Sequence, residues 1–420
     1  MDKKKIFFSM NLILMLFASS IFCGIDKSYS QSQVSVQSSV SDSSHLNNQV
    51  KMRRITPAQR KAAANRAAIA RQGQRGIQLA APVPGGAPDY FGIYSNYANS
   101  PPIRKFVDTL PGLGPSNANN LGQYIPIAIA DTTTYPGSDY YQIGLVDYSQ
   151  KMHSDLPETK LRGYKDLAPT ADGKAHYLGP LIVAKRDRPV RLKFTNMLGL
   201  GTAGNLFLPV DTTVMGAGQG PLDEAGNPCD PMVSTCASYT QNRAVIHLHG
   251  GTTPWISDGT PHQWITPAGE TTPFRKGVSQ QNVPDMPDPG DGSATYYYTN
   301  QQSSRLMFYH DHTYGMTRLN VYAGEAAGYL LTDPVEDYLI DTNVLPNLGG
   351  VYRYGIPLII QDKTFVDATR IASQDPTWNW GTTPPVPHTG DLWFPHVYMP
   401  NQNPNDPEGA NAMGRWDYGP

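Results

Sequence analysis

The chain has 420 residues, enough for two or three domains with sizeable cores, and carries a formal net charge of -2. A balance this close to neutral argues neither for nucleic acid nor for an acidic substrate, and no nucleic-acid partner is expected. Charged residues make up only 16%, while 39 Gly, 37 Pro and 24 Tyr are abundant, a mixture that predicts short strands joined by turns over long amphipathic helices.

Residues 1–30 read as a signal peptide. Lys3, Lys4 and Lys5 precede an apolar run over 6–23, and Ser28-Tyr29-Ser30 offers small residues before a cut at Gln31. An uncleaved anchor is the alternative, but the run is marginal in length for a bilayer, and Phe22 is bulky for lipid attachment at Cys23. Nothing downstream is apolar enough to span, so the mature chain is expected to be secreted or periplasmic with no stable membrane span. Residues 31–81 form an arm. Its first part, 31–48, is rich in Ser and Gln and reads as disordered. The stretch 51–75 carries Lys51, Arg53, Arg54, Arg60, Lys61, Arg66, Arg71 and Arg75 without an acid, around an Ala-rich middle that favours helix. A solvated helical arm is expected there, with polyanion or membrane-surface binding as the alternative.

A folded domain is expected over 82–336. Strand-like segments fall at 124–130, 181–184, 189–195, 244–249, 295–299, 306–312 and 328–332. Within them Val190, Leu192 and Phe194 alternate with Arg191 and Lys193, the pattern of a half-buried strand. Short strands separated by turn-rich stretches predict an all-β sandwich with Greek-key connections.

Two of these strands carry the chemistry. His247-Leu248-His249 and His310-Asp311-His312 place histidines at i and i+2, so each pair projects from one strand face. If the two strands pair, four imidazoles converge, a ligand set that suits copper, zinc, iron or nickel. Histidines scattered singly and satisfied by their surroundings are the bland alternative, weakened because the pair occurs twice. Once the signal is removed, Cys229 and Cys236 are the remaining cysteines. In an oxidising compartment they are expected to close a small disulfide loop contributing about 2–3 kcal/mol. A metal role for them is weaker, since no histidine lies in that loop.

The flanking residues carry a family resemblance. Ala244-Val-Ile-His247-Leu-His249-Gly250-Gly251 resembles the first copper-binding segment of multicopper oxidases, and Leu306-Met-Phe-Tyr-His310-Asp-His312 the second, with Phe308 where tryptophan is common. Ser257-Asp258-Gly259, Thr317-Arg-Leu-Asn-Val-Tyr-Ala-Gly324 and Gly328-Tyr-Leu-Leu-Thr-Asp-Pro334 resemble the spore-coat laccase and bilirubin oxidase branch. The resemblance implies a cupredoxin-like, plastocyanin-like sandwich over 82–336 and a copper cofactor. It implies His247 as a type 2 copper ligand, with His249, His310 and His312 as type 3 ligands of a trinuclear centre reducing O2 to water. Asp258 then becomes an acid delivering protons, against the alternative of an Asx turn. Asp311 faces away from its flanking histidines and is expected to orient an imidazole through a hydrogen bond. The implied partners are O2 and an unknown reducing substrate.

The departures matter equally. No His-Cys-His occurs, no further His-x-His occurs, and His388 and His396 stand isolated in Pro-rich sequence. Type 1 copper therefore has no ligands here, and half of the trinuclear set is missing. The segment 355–365 resembles the first strand of a second cupredoxin domain, so 355–420 is expected to be its truncated start, in an N-terminal portion of a longer oxidase inactive in isolation. The alternatives are a non-catalytic secreted copper-binding protein and a zinc-dependent hydrolase, the latter lacking the strand–helix alternation its barrel needs.

Overall fold

The computed structural model describes residues 101–371 and 386–392, apart from positions 102, 105, 209, 211, 213 and 233. The expected signal peptide, basic arm and most of 355–420 lie outside the described residues. Among the described residues, eight strands form two four-stranded sheets: β1 Asp139–Lys151, β2 Glu158–Asp166, β3 Ile182–Lys185, β4 Val190–Asn196, β5 Ile246–His249, β6 Ser293–Tyr298, β7 Arg305–Asp311 and β8 Ala326–Thr332. One sheet runs β2-β1-β4-β6 and the other β3-β8-β7-β5. The architecture is the expected all-β, cupredoxin-like sandwich.

The period-2 pattern builds the core. In β4, Val190, Leu192 and Phe194 are fully buried, alternating with half-exposed Arg191 and Lys193. They meet Tyr141, Ile143 and Leu145 of β1, and from the other sheet Ile246, Leu248, Tyr309, Tyr329 and Leu331. Aromatic pairs bridge the two layers: Tyr164 of β2 meets Tyr309 of β7 at 5.1 Å, and Tyr298 of β6 meets Tyr329 of β8 at 6.1 Å. Edge-to-face and tilted pairs of this kind add about 0.5–1.5 kcal/mol each beyond area burial.

Several sequence expectations need correction. The segment 124–130 makes only isolated bridges, Ile125 to Leu113 and Ile127 to Leu181, because Pro126 between them has no N–H to donate to a ladder. The two longest strands, β1 and β2, were not anticipated. In β2 the charged side chains disguise a buried strand: Arg162 is fully buried, with Nε donating to Asp147 Oδ1 at 2.8 Å and Nη2 to the Gly204 carbonyl at 3.1 Å. Two short helices follow the second histidine pair, α1 Thr317–Ala323 and α2 Pro334–Asp341. Asp333 caps α2 by accepting the Glu336 N–H, and Pro334 fits its first turn. The strand expected at 355–365 is irregular chain with one bridge, Phe365 to Leu392. Phe365 and Leu392 pack with Leu156, Leu161, Leu319 and Ala323.

Candidate metal centre

β5 and β7 are antiparallel neighbours, with His247 opposite His310 and His249 opposite Phe308. Ile246, Leu248, Met307, Tyr309 and Asp311 are buried inward, so alternation turns His247, His249, Phe308 and His310 to the outer face. His312 follows directly after β7 and joins them. Ring centroids lie 4.8 Å apart for His247 and His312, 5.4 Å for His249 and His310, and 5.5 Å for His247 and His310. Ligand nitrogens of His247, His249 and His310 all fall within 4.8 Å of one another. The structure thus brings the four histidines together. Cys229 and Cys236 are joined by a disulfide and contribute nothing to this cluster. His388 sits exposed at a turn beside Asp391, and His396 lies outside the described residues.

Hydrogen bonds orient the rings. His247 Nδ1 donates to the Asp258 carbonyl, and His310 Nδ1 donates to the Asp311 carbonyl at 2.6 Å. A ring nitrogen facing a carbonyl carries the proton, which leaves each Nε2 with a free lone pair. His249 Nδ1 points at His310 Nε2, 3.2 Å away. His312 Nδ1 is buried with no hydrogen-bond partner. Buried polar atoms are rarely orphaned without a reason such as an ion. A metal ion bound by these nitrogens gives the orphan a partner and accounts for a nitrogen pair 3.2 Å apart, so the residues fit a metal.

Electrostatics agree. Burial pushes His310 down to about 3, with the neighbouring imidazoles adding to the effect, and pushes His312 down to about 4. Burial also lowers His249, helped by His247. These three rings are therefore neutral at physiological pH, the state that ligation requires.

Asp258 follows a short 3-10 turn, Trp255–Ser257. Its carboxylate accepts from Thr253 Oγ1 at 2.9 Å and lies 3.9 Å from His247 Nδ1. It takes no neighbouring backbone N–H, so the alternative Asx turn is not formed. Gly259 makes this approach possible. At φ +72° it presses onto β5 so closely that a Cβ would lie 1.9 Å from the Ile246 carbonyl oxygen.

Asp311 orients an imidazole as expected, but through its main-chain carbonyl on His310 and not through its carboxylate. Its carboxylate reaches no imidazole; it accepts from Val245 N at 3.0 Å, Thr313 N at 3.1 Å, Thr313 Oγ1 at 2.7 Å and Asn320 Nδ2 at 3.0 Å. It is a clamp that ties the β5 approach, the loop after His312 and α1 together, while its carbonyl orients His310. Glu325 went unnoticed in sequence. It is fully buried beside Asp311, its main-chain oxygen accepts the Asp311 N–H, and neither carboxyl oxygen has a partner. The signal was one acid inside the apolar run Ala323-Gly-Glu-Ala-Ala-Gly328.

No family model matches the chain. Similar curated proteins include a laccase of Bacillus stratosphericus, 35% identical over 264 residues, which are 63% of this chain and 38% of that protein. A laccase of Bacillus subtilis strain 168 is 32% identical over 263 residues, 62% of this chain and 38% of its own length. A bilirubin oxidase of Albifimbria verrucaria is 37% identical over 100 residues, 23% of this chain and 16% of its own. Among solved structures, a multicopper oxidase from Aquifex aeolicus aligns with a TM-score of 0.36 at 20% identity, covering 67% of this chain and 39% of that one. The chain therefore spans well under half the length of the laccases it matches.

Proposed function

We propose that this chain, whose matched residues are of the multicopper oxidase family, serves a copper-dependent oxidase of laccase or bilirubin oxidase type. Such an enzyme couples one-electron oxidation of a reducing substrate to reduction of O2 to water. His247 would hold type 2 copper, and His249, His310 and His312 would hold the type 3 pair, half of a trinuclear ligand set. Bound copper supplies the one-electron chemistry toward O2. The carbonyls of Asp258 and Asp311 fix ring tautomers, burial keeps His249, His310 and His312 neutral, and the Asp258 carboxylate, 3.9 Å from His247 Nδ1, would serve proton delivery at the rim. A secreted or periplasmic setting suits the disulfide.

One observation carries the reading: imidazoles from two paired strands converge, with ligand nitrogens of His247, His249 and His310 within 4.8 Å of one another and the His312 ring, with an orphaned buried nitrogen, 4.8 Å from that of His247. The 420 residues contain no His-Cys-His, so they offer no type 1 entrance for electrons and are proposed to be inactive alone. That same feature favours a second reading, a secreted copper-binding protein without catalysis. A zinc hydrolase of barrel type is disfavoured by the sandwich. The test is copper content, compared with His247→Ala and His310→Ala, with O2 uptake from phenolic donors expected to be absent for these residues alone. Retained copper that both substitutions abolish supports the reading. Copper retained equally by the variants, or none retained by the parent chain, refutes it.

A further inference from the structure

Two of the rings at this centre are set by hydrogen bonds to carbonyls, His247 by Asp258 and His310 by Asp311. His249 has no such bond. It lies at the end of β5, the edge strand of its sheet, and is exposed. Among the described residues its one polar contact within hydrogen-bond distance is His310 Nε2, which the reading above makes a ligand atom. An exposed edge side chain with two free torsions would spread over several rotamers. Something else must fix it.

Phe308 stands directly opposite His249 in the β5–β7 register. Its ring stacks on His249 with centroids 4.6 Å apart and planes 20° apart, and on His310 at 5.3 Å and 27°. We propose that Phe308 is a positioning residue of the metal centre: by stacking on both rings, it holds the edge-strand imidazole so that His249 Nδ1 and His310 Nε2 aim at a common point. This rests on the metal reading above. The ring also covers one face of each imidazole, limiting water's access to the ligands. Loss of groups that orient metal ligands typically weakens affinity about 10–100-fold, and the same range is expected here.

The test uses the full chain with Phe308→Leu, which keeps apolar bulk without a ring face, and Phe308→Tyr, which keeps the face. Two measurements are made: Cu(II) affinity by competition with a chelator, and the ring-nitrogen shifts of His249 in the metal-free chain labelled with 15N-histidine. Thermal melts check that each variant folds. Phe308→Leu is expected to weaken copper binding about tenfold or more and to shift the His249 nitrogens toward a tautomer average. Phe308→Tyr restores both. An unchanged affinity in Phe308→Leu, or a loss that Phe308→Tyr does not restore, overturns the proposal. If the parent chain retains no copper, the metal reading fails instead, and the His249 nitrogens alone then decide whether Phe308 positions the ring.

Discussion

Replacing Glu325 by Gln should remove a pH-dependent weakness from the core. Glu325 and Asp311 are both fully buried, and their backbones are joined where β8 begins opposite the end of β7. Four donors converge on the Asp311 carboxylate, whereas none reaches Glu325. Two adjacent buried carboxylates cannot both ionise, so the proton resides on Glu325. Burial raises Glu325 well above its ordinary value, with the Asp311 charge adding, while Arg162 opposes. Arg162 is occupied by Asp147 and by the carbonyls of Gly204 and Asn205, and Tyr164 on the same strand leaves its hydroxyl unpartnered. The folded pKa lies above the unfolded one. The stability attached to Glu325 is therefore complete below the unfolded value near 4.5 and is lost as pH rises toward the folded value. The slope approaches about 1.4 kcal/mol per pH unit for one proton over the part of the window from pH ~5 to pH ~8 in which Glu325 stays protonated. Urea unfolding followed by Trp fluorescence at several pH values should show Glu325→Gln gaining on the parent steadily across that window. Parallel pH profiles for parent and variant would refute the reasoning, as would a variant less stable at pH ~8.

Asp311→Ala leaves Val245 N, Thr313 N, Thr313 Oγ1 and Asn320 Nδ2 without their acceptor. At about 1–3 kcal/mol per orphaned buried donor, chemical denaturation should show a loss of several kcal/mol or no folded protein. Gly259→Ala meets both a positive φ and the Ile246 carbonyl, so the loop must lift from β5. Its melting temperature should fall by several degrees, and its copper affinity should drop as His247 loses the Asp258 carbonyl. Cys229→Ser with Cys236→Ser opens the loop closed by the disulfide, costing about 2–3 kcal/mol in a denaturant titration while leaving copper stoichiometry unchanged.

The histidine cluster was legible because strand alternation needs only local sequence. His247 and His249 share a face by their spacing, and so do His310 and His312. The half-buried pattern of β4 was legible for the same reason. What escaped depended on partners distant in sequence. β2 reads as polar until Asp147 and the carbonyls of Gly204 and Asn205 gather around Arg162. Asp311 serves an imidazole as expected, through its carbonyl on His310; what escaped is that its carboxylate, on the opposite strand face, meets donors from Val245, Thr313 and Asn320. The buried state of Glu325 follows from its place beside Asp311 across two strands, which no local pattern announces. The 355–365 stretch has strand-like composition but finds no neighbouring strand among the described residues, so its resemblance to a sheet segment did not translate into one.

The central claim is that imidazoles of both strands share one metal site. Diffraction from copper-soaked crystals, recorded on either side of the copper absorption edge, locates copper directly. The account predicts anomalous density bounded by His247 and His249 on one side and by His310 and His312 on the other. Density confined to other surface histidines, or touching only one strand's pair, would contradict it.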